Sequence, residues 1–307
     1  MPVYNKIYSS YTIKGPFVAG GGNYTESDAA ALTLWTRFRA SPVDESGTGL
    51  TVSYDGTPTT DNELVPSADF NRIGELPVAT FNNSANINAK VAGAPQLIFN
   101  DSSTDTPFTI SAWINRDDLS ANRIFSQENV AGGALAIDFK VFNSGGGLGP
   151  ETLSLHLRDA SGNNKQVTEV ISNNIPFGEW FHVAVSYGGG GDISKIKFYV
   201  NGNPPRQKER NIIYDAVGYT YNDTNSVRPH YIGADFAGDN EFDGRISELC
   251  IWRKALTPSA IKAIYHSVAG RYTASSGEVS LPTRVIIREQ DNYRGSYPNQ
   301  LRLYFFL

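Results

Sequence analysis

The amino-acid sequence predicts an all-β fold: a two-sheet antiparallel jelly-roll sandwich with an N-terminal and a C-terminal arm. Two observations lead to this prediction. Segments in which apolar and polar residues alternate recur roughly every 8–15 residues and end at turn residues, as is typical of antiparallel sandwiches. The 307-residue chain also contains 29 Gly, 16 Pro, 16 Tyr and 16 Phe, a composition that suits many short strands joined by turns.

The clearest strand lies at residues 108–114, where alternate apolar side chains share one face and Trp113 lies on the other. Residues 57–75 lack such alternation and are predicted to form a loop. The dipeptide Asn201-Gly202 predicts a hairpin turn. Further strands are predicted at residues 32–38, 49–54, 78–81, 123–126, 134–142, 153–157, 166–170, 180–187, 195–200, 230–234 and 244–252.

One short helix interrupts this series at residues 257–265. Thr257 is suited to cap its N-terminus, and Pro258 to occupy its first position. The core of the sandwich is predicted to include Trp113, Phe181, Val183, Val185, Phe198 and Ile232. The tryptophans at positions 35, 113, 180 and 252 all fall within predicted strands, so we expect them in the core and not on a binding surface.

The chain divides into an N-terminal arm (residues 1–29), a jelly-roll domain (30–268) and a C-terminal extension (269–307) that we expect to form an assembly contact. The extension ends in the apolar segment 301–307 (LRLYFFL). Such a segment would leave an adhesive edge in water, so we expect it to pair with a neighbouring subunit. The alternative is that it returns to its own sandwich as an edge strand.

Charge and cysteine content exclude several classes of protein. With 26 basic and 31 acidic residues the net charge is −5, which argues against nucleic acid as a partner. A single cysteine, Cys250, permits no internal disulfide and no cysteine-based zinc site. The N-terminal residues lack the pattern of a secretory signal, and we find no apolar run that predicts insertion into a membrane.

Several motifs resemble those of one family. Residues 108–115 (FTISAWIN), 180–187 (WFHVAVSY) and 197–202 (KFYVNG) resemble strands of laminin-G-like, concanavalin-A-like jelly rolls. Residues 231–234 (YIGA) and 242–258 resemble the closing block of those domains. The resemblance covers roughly residues 30–268 and implies the same jelly roll. It leaves function open, because this fold serves lectins, adhesion modules, glycoside hydrolases and virion proteins.

A second resemblance indicates a context for the domain. Residues 284–298 are similar to tails found in laminin-G-like proteins of tailed bacteriophages. This similarity implies a virion structural protein: a capsid decoration, head fibre or tail component that attaches to other virion proteins and to itself through its arms. Its jelly roll could then contact cell-surface glycans. The alternative is a free carbohydrate-binding or adhesion module of a bacterial extracellular protein.

Catalysis is not expected. Glycosidases of this fold carry a Glu-x-Asp-x-x-Glu strand that directs its carboxylates into one groove. The nearest pattern here consists of Glu241, Asp243 and Glu248, with the wrong spacing and in the closing strand. The four histidines are scattered singly, and neither a serine nucleophile motif nor a Glu-x-x-His pair accompanies any of them. We therefore predict that the protein is not an enzyme.

Two sets of site residues remain as hypotheses. A sugar site needs exposed aromatic and amide side chains on edge loops, and the candidates are Gln127, Asn129, Tyr219, Tyr221 and Asn222. Relatives of the family hold a structural calcium between an early turn and the closing block. The resemblance therefore allows calcium at Asp44, Asp239 and Asp243. Ser247 replaces an aspartate of the family motif, and we expect no cofactor to be required.

Overall fold

The structure, a computed structural model, describes residues 24–65, 74–82, 87–118, 122–128, 134–143, 151–172, 178–205, 209–225, 227–235 and 242–268. These residues form two antiparallel sheets of eight strands each, which confirms the predicted all-β sandwich. Predictions for the terminal segments 1–23 and 269–307, including the apolar end of the chain, lie outside the described residues.

The first sheet contains β1 (Leu32–Arg37), β2 (Val43–Asp44), β4 (Thr59–Val65), β5 (Gly74–Phe81), β7 (Phe108–Arg116), β12 (Phe181–Tyr187), β13 (Ile196–Val200) and β16 (Gly244–Trp252). Its main path runs β13-β12-β7-β16-β1-β2, and the β4–β5 hairpin joins it through β16. The closing strand β16 is therefore central, because it pairs with β1, β5 and β7.

The second sheet contains β3 (Val52–Asp55), β6 (Asn88–Val91), β8 (Asn122–Glu128), β9 (Leu135–Asn143), β10 (Glu151–Arg158), β11 (Asn164–Ser172), β14 (Arg210–Asp215) and β15 (His230–Ile232). The strands lie in the order β14-β11-β10-β9-β8-β15-β6-β3, so β14 and β3 are the edges. Alternation places Leu153, Leu155 and Leu157 of β10 in the core, and the intervening side chains belong to the other face of the sheet.

The hydrophobic residues form two clusters, one on each face of the first sheet. Phe181, Val183, Val185, Phe198 and Ile232 lie between the sheets, as predicted. Trp113 is also buried, but it belongs to the second cluster, on the outer face of the first sheet. That cluster contains all four tryptophans. Since both faces of the sheet are covered, every residue of β7 is buried.

Helix α2 (Pro258–Val268) covers part of this outer cluster. Its N-terminus is capped as predicted, because Ala260 N donates a hydrogen bond to Thr257 Oγ1 at 3.2 Å. Ala260, Ile261 and Ile264 are buried against the tryptophans. The sequence therefore predicted the start of the helix.

A second short helix, α1 (Glu26–Ala30), lies in the segment that the sequence assigns to the N-terminal arm. Thr25 caps it, and Asp28 Oδ2 accepts a hydrogen bond from Thr25 N at 2.9 Å. Tyr24 is buried, and its hydroxyl accepts a hydrogen bond from Trp252 Nε1 at 3.0 Å. Residues 24–29 thus pack on the sandwich and are not a free arm.

The region predicted as a loop at residues 57–75 contains a strand pair. β4 occupies Thr59–Val65 and pairs with β5, which begins at Gly74. β4 pairs with β5 alone and begins with polar residues, so it lacks the alternating pattern that marks a half-buried strand. Within the described ranges, neither helix is long and apolar enough to cross a membrane.

Candidate functional site

The buried carboxylate of Asp105 organises the loops at one edge of the sandwich. It accepts hydrogen bonds from Tyr187 Oη at 2.7 Å, Tyr219 Oη at 2.8 Å and Asn222 N at 2.6 Å. Burial raises the pKa of the Asp105 carboxyl, and these hydrogen bonds oppose the shift only in part. The carboxylate thereby connects to residues 82 to 117 positions away, and it holds residues 219–225 against residues 99–105.

Two further contacts complete this connection. The Asn100 side chain donates from Nδ2 to Asn222 O at 2.8 Å, and Phe99 N donates to Thr224 Oγ1, also at 2.8 Å. Thr224 Oγ1 in turn donates to Asn222 Oδ1 at 2.7 Å. The two loops are therefore joined by side-chain to backbone hydrogen bonds and have a fixed relative position.

A polar cavity of about 370 Å³ lies where these two loops meet, and we call it the loop-edge cavity. Asp101 Oδ1 accepts hydrogen bonds from Ser103 N and Thr104 N at 2.9 and 2.8 Å, and hydrogen bonding to Ser103 lowers the pKa of the Asp101 carboxyl. Ser102 adopts a φ of 70°, a strained value for a residue other than glycine. The cavity is lined by Ile98, Asn100, Asp101, Ser102, Tyr221, Asp223, Thr224 and Asn225.

Of the predicted sugar-binding residues, Tyr221 lines this cavity, whereas three others hold the loops. Gln127 is fully buried, and its Nε2 donates to Asn225 O and Arg228 O at 2.8 Å. Asn222 is also buried, and Tyr219 directs its hydroxyl to Asp105. Asn129 lies outside the described residues. The four described candidates therefore lie at or near the loop-edge cavity, but the sequence did not distinguish residues that support the cavity from residues that line it.

The structure does not bring the described calcium candidates together. Asp44 accepts hydrogen bonds from Trp35 N, Ser46 N and Leu50 N at 2.9–3.1 Å, so its carboxylate already organises a turn. Strand register places Asp44 level with Leu249, roughly 20 Å along β16 from Asp243 at the usual rise per residue.

The surroundings of Asp243 are acidic. Burial is the largest cause that raises the pKa of the Asp243 carboxyl, and the negative charges of Asp118 and Asp117 raise it further. Across the ranges that the structure describes, no group of three or more His, Cys, Asp or Glu side chains is arranged to hold a metal ion. Asp239 lies outside those ranges.

The two described residues of the glycosidase-like pattern, Asp243 and Glu248, do not converge on the loop-edge cavity. Glu248 is buried and accepts a hydrogen bond from Trp35 Nε1 at 2.6 Å, while Arg37 Nε lies 3.2 Å from its other oxygen. Asp243 comes directly before Gly244, the first residue of β16. Glu241 is not among the described residues. Glu248 therefore has a structural role in its strand.

A second cavity, of about 260 Å³, opens on the outer face of the second sheet, and we call it the sheet-face groove. Its lining comes from β9, β10, β11 and β14 and contains no ionisable side chain. Sequence analysis missed it because β14 (RNIIYD) does not alternate and was not predicted as a strand. The lining residues are Phe142, Thr152, Gln166, Thr168, Val170, Asn211 and Ile213.

Two antiparallel sheets around one core, with open loops at one edge, define a jelly-roll domain of the lectin-like class. The chain belongs to the concanavalin A-like lectin/glucanases superfamily, whose laminin G family model matches residues 86–262, more than half of its length. This confirms the family resemblance predicted from the sequence. No curated protein matches the chain.

Solved structures with a similar fold include those of botulinum neurotoxins. One of them comes from a study of botulinum neurotoxin type C, whose cell entry is dependent upon interaction with two ganglioside molecules. Its sequence is 18% identical to this chain, and the TM-score is 0.51. The match covers 79% of this chain and 52% of that one. The botulinum neurotoxin DC binding domain, solved with rat synaptotagmin II, is 14% identical, with a TM-score of 0.51 over 78% and 52% of the two chains. The present chain thus spans about half the length of these structures, and at this identity the likeness shows the fold alone.

Proposed function

We propose that this chain is a non-enzymatic virion structural protein of a bacteriophage that displays its jelly roll to bind carbohydrate at the loop-edge cavity. The observation that carries the binding role is the Asp105 network, which fixes an open polar cavity between two loops. A cavity of about 370 Å³ is within the usual size range of small-ligand sites.

The lining of the cavity suits a sugar ring. Tyr221 supplies an aromatic side chain for the apolar face of the ring, and Asn225 and Ser102 supply amide and hydroxyl groups for its hydroxyls. Asp101 adds a carboxylate whose Oδ2 can accept from hydroxyl groups, because the hydrogen bonds to Ser103 and Thr104 use Oδ1. Two carboxylates in the lining disfavour acidic sugars, so the proposed ligand is an uncharged or cationic saccharide.

The proposal of a binding role without catalysis is supported by the state of Asp101. A glycosidase needs one carboxyl group that stays protonated near neutral pH in order to protonate the leaving oxygen. Hydrogen bonding lowers the pKa of Asp101 instead, so this group is ionised at neutral pH. We also propose that no metal cofactor is required, since the Asp44 carboxylate is already occupied by donors from its own turn.

The virion role rests on the sequence of the C-terminal extension and on the family. Proteins of this superfamily serve as display and recognition modules in many contexts, and the extension supplies an apolar segment at residues 301–307 for contacts with virion proteins or with other copies. We propose that the protein is carried on the particle after assembly in the host cytoplasm.

The binding role is tested on a glycan array with the full chain and a Tyr221→Ala variant. Tyr54→Ala, at the half-buried tyrosine of the edge strand β3, serves as an aromatic control. We expect glycan binding that Tyr221→Ala abolishes and Tyr54→Ala retains. Binding unaffected by Tyr221→Ala would exclude the loop-edge cavity as the site.

The virion role needs a separate measurement. Deletion of residues 299–307 should abolish incorporation into phage particles while leaving the melting temperature of the domain unchanged. A protein that remains soluble and free of particles with its C-terminal segment intact would support the alternative of a free carbohydrate-binding module.

A further inference from the structure

The edge strand β14 exposes three large apolar side chains in succession. Ile212, Ile213 and Tyr214 are 58%, 48% and 50% exposed. Among the described strands β14 pairs with β11 alone, so its other edge has no strand partner there. Such an edge is a template for a further strand, and soluble proteins rarely leave an apolar one uncovered. The surface therefore indicates a contact with another segment of polypeptide.

The other described edges of the two sheets are less suited to such a contact. β2 has only two residues, and β4 carries two acidic side chains. On β3, Asp55 forms an ion pair with Lys90 of the neighbouring strand. The edge strand β13 is crossed by Arg210, whose Nη1 donates to Ile196 O at 2.9 Å. Short length and charged side chains protect these edges, whereas β14 has six residues with an apolar centre.

A bulge in β14 restricts what can pair with it. Gln166 pairs with Tyr214, while its neighbour Val167 pairs with Ile212, so Ile213 is an extra residue in β14. A bulge increases the local twist of its strand, which hinders pairing with the edge of another complete sheet. A single added strand can follow this twist. The bulge therefore favours a short segment, and not the β14 of a second sandwich, as the occupant.

Residues 301–307 (LRLYFFL) have the chemistry that this edge requires. In an extended strand their apolar side chains would lie on both faces. β14 is apolar on both faces as well: Ile212 pairs with the core residue Val167, and Tyr214 pairs with Gln166 on the outer face of the sheet. The segment is also about as long as β14. Added to this edge, it would bury apolar side chains on each side of the sheet.

The charges of the two strands fit one orientation. β14 begins with Arg210 and ends with Asp215. Asp215 forms an ion pair with Lys165, but its side chain is still 48% exposed. The segment carries one charge, Arg302, near its start. An antiparallel arrangement places Arg302 beside Asp215 and away from Arg210, so this orientation is favoured.

This orientation also brings the segment to the rim of the sheet-face groove. With Arg302 opposite Asp215 and one residue allowed for the bulge, Leu303 lies opposite Tyr214 and Phe305 opposite Asn211. Thr168 and Asn211 form one row across β11 and β14, and both line the groove. Opposite residues of an antiparallel pair share a face, so Phe305 would extend this row and cover the apolar lining.

From these observations we infer that β14 of one copy binds residues 301–307 of a neighbouring copy as an added antiparallel strand. Backbone hydrogen bonds along the edge would provide affinity, and the side chains on both faces would provide specificity. Residues 269–300 could span about 100 Å when extended, which is enough to reach a neighbouring copy. The inference rests on the assembly role in the proposed function and adds the surface that receives the segment.

Disulfide cross-linking between two full-length versions of the chain tests this contact. One version carries an affinity tag and Asn211→Cys, the other carries Phe305→Cys, and the two are co-expressed. Cys250 is buried, so it should not compete. We expect a tagged–untagged dimer on oxidation, because opposite residues of an antiparallel pair lie about 5 Å apart.

The matched control replaces Asn211→Cys with Ser53→Cys, at an exposed residue of β3 on the other edge of the same sheet. This version should not form the cross-linked dimer. Equal cross-linking to both edges, or none to β14, overturns the inference.

Sedimentation of the uncross-linked full chain separates this inference from the proposed function. Ile213→Lys should weaken self-association by about tenfold or more, because a charge replaces an apolar side chain at the contact. Val43→Lys, at an exposed residue of β2, should leave it unchanged.

Two results would overturn the contact at β14. If deletion of residues 299–307 abolishes self-association and Ile213→Lys does not, the segment binds elsewhere and the assembly role stands. A monomeric full chain that cross-links within one molecule, when it carries both cysteines, shows that the segment binds its own copy. Incorporation into phage particles is measured independently and decides the proposed function in either case.

Discussion

Trp35 donates a hydrogen bond from its indole Nε1 to Glu248 Oε2 at 2.6 Å, and this contact joins β1 to the closing strand. Glu248 adopts a φ of 47° at an irregularity where the pairing of β16 with β7 shifts between Ser247 and Cys250. A left-handed residue in a strand is strained and persists only where its surroundings hold it. Trp35 and Arg37 provide that support from β1.

Replacement of the Glu248 carboxylate is expected to destabilise the fold. Glu248→Ala removes the acceptor of Trp35 and the ion partner of the buried Arg37, and should lower the free energy of unfolding by about 3–5 kcal/mol. Urea denaturation followed by tryptophan fluorescence measures the change. Glu248→Gln is the matched control, since it keeps an acceptor for the indole and should lose less. An equal loss in both variants would mean that the charge, and not the acceptor, matters.

The main core offers a simpler test of the sandwich. Phe198 of β13 is 2% exposed and lies between the sheets, whereas its neighbour Lys197 is exposed. Phe198→Ala should lower the free energy of unfolding by about 3–5 kcal/mol through lost burial and the cavity it creates. Lys197→Ala should change it by less than about 0.5 kcal/mol. Similar losses in the two variants would contradict the predicted placement of this strand.

The Asp105 network makes a prediction about both stability and binding. Asp105→Ala leaves Tyr187 Oη, Tyr219 Oη and the buried backbone N of Asn222 without their acceptor. The variant should have a free energy of unfolding about 2–4 kcal/mol lower than that of the parent, as measured by thermal unfolding. Glycan binding at the loop-edge cavity should also fall under conditions where the variant is still folded. Asp101→Ala, at an exposed residue of the same cavity, should reduce binding with little loss of stability.

The site illustrates what sequence alone could and could not predict. Strands such as β7 and β12 were predictable because alternation is a local property that survives in the structure. Asp105 gave no local signal, since its partners Tyr187, Tyr219 and Asn222 lie 82 to 117 positions away. Gln127 and Asn222 were candidates by residue type, and only their burial shows that they support the loops.

Two edge strands, β4 and β14, were not predicted from the sequence. β14 was missed because its bulge at Ile213 breaks the period of two on which strand prediction depends. β4 was missed because it pairs at the periphery and has no apolar face to display in the sequence. Both strands are identified by their hydrogen-bonded pairing with β11 and β5 in the structure. The sheet-face groove that β14 helps to form could therefore not have been predicted from composition or pattern.

The last prediction concerns acid. His182 and His230 are both buried, and burial lowers the pKa of each to about 3, against an ordinary value of 6.5. The unfolded chain therefore binds protons in a pH range where the folded protein does not. The stability that these groups contribute is complete above pH 6.5 and is lost as the pH falls towards 3, by about 1.4 kcal/mol per pH unit for each histidine.

His182 is the better position for testing this. Its ring packs against Trp113 and Tyr265, and neither ring nitrogen has a hydrogen-bond partner in the described part of the chain. His182→Phe keeps an aromatic ring there, leaves no donor unpaired and removes one titrating group. The variant should match or exceed the parent in stability at pH 7, and exceed it by about 2 kcal/mol at pH 5.

His230→Phe is the contrasting variant, because His230 Nε2 lies 3.1 Å from Leu97 O and the substitution removes that contact. Chemical denaturation at pH 7, 6 and 5 measures both. A pH dependence that His182→Phe leaves unchanged would show that this histidine is not neutral in the folded protein.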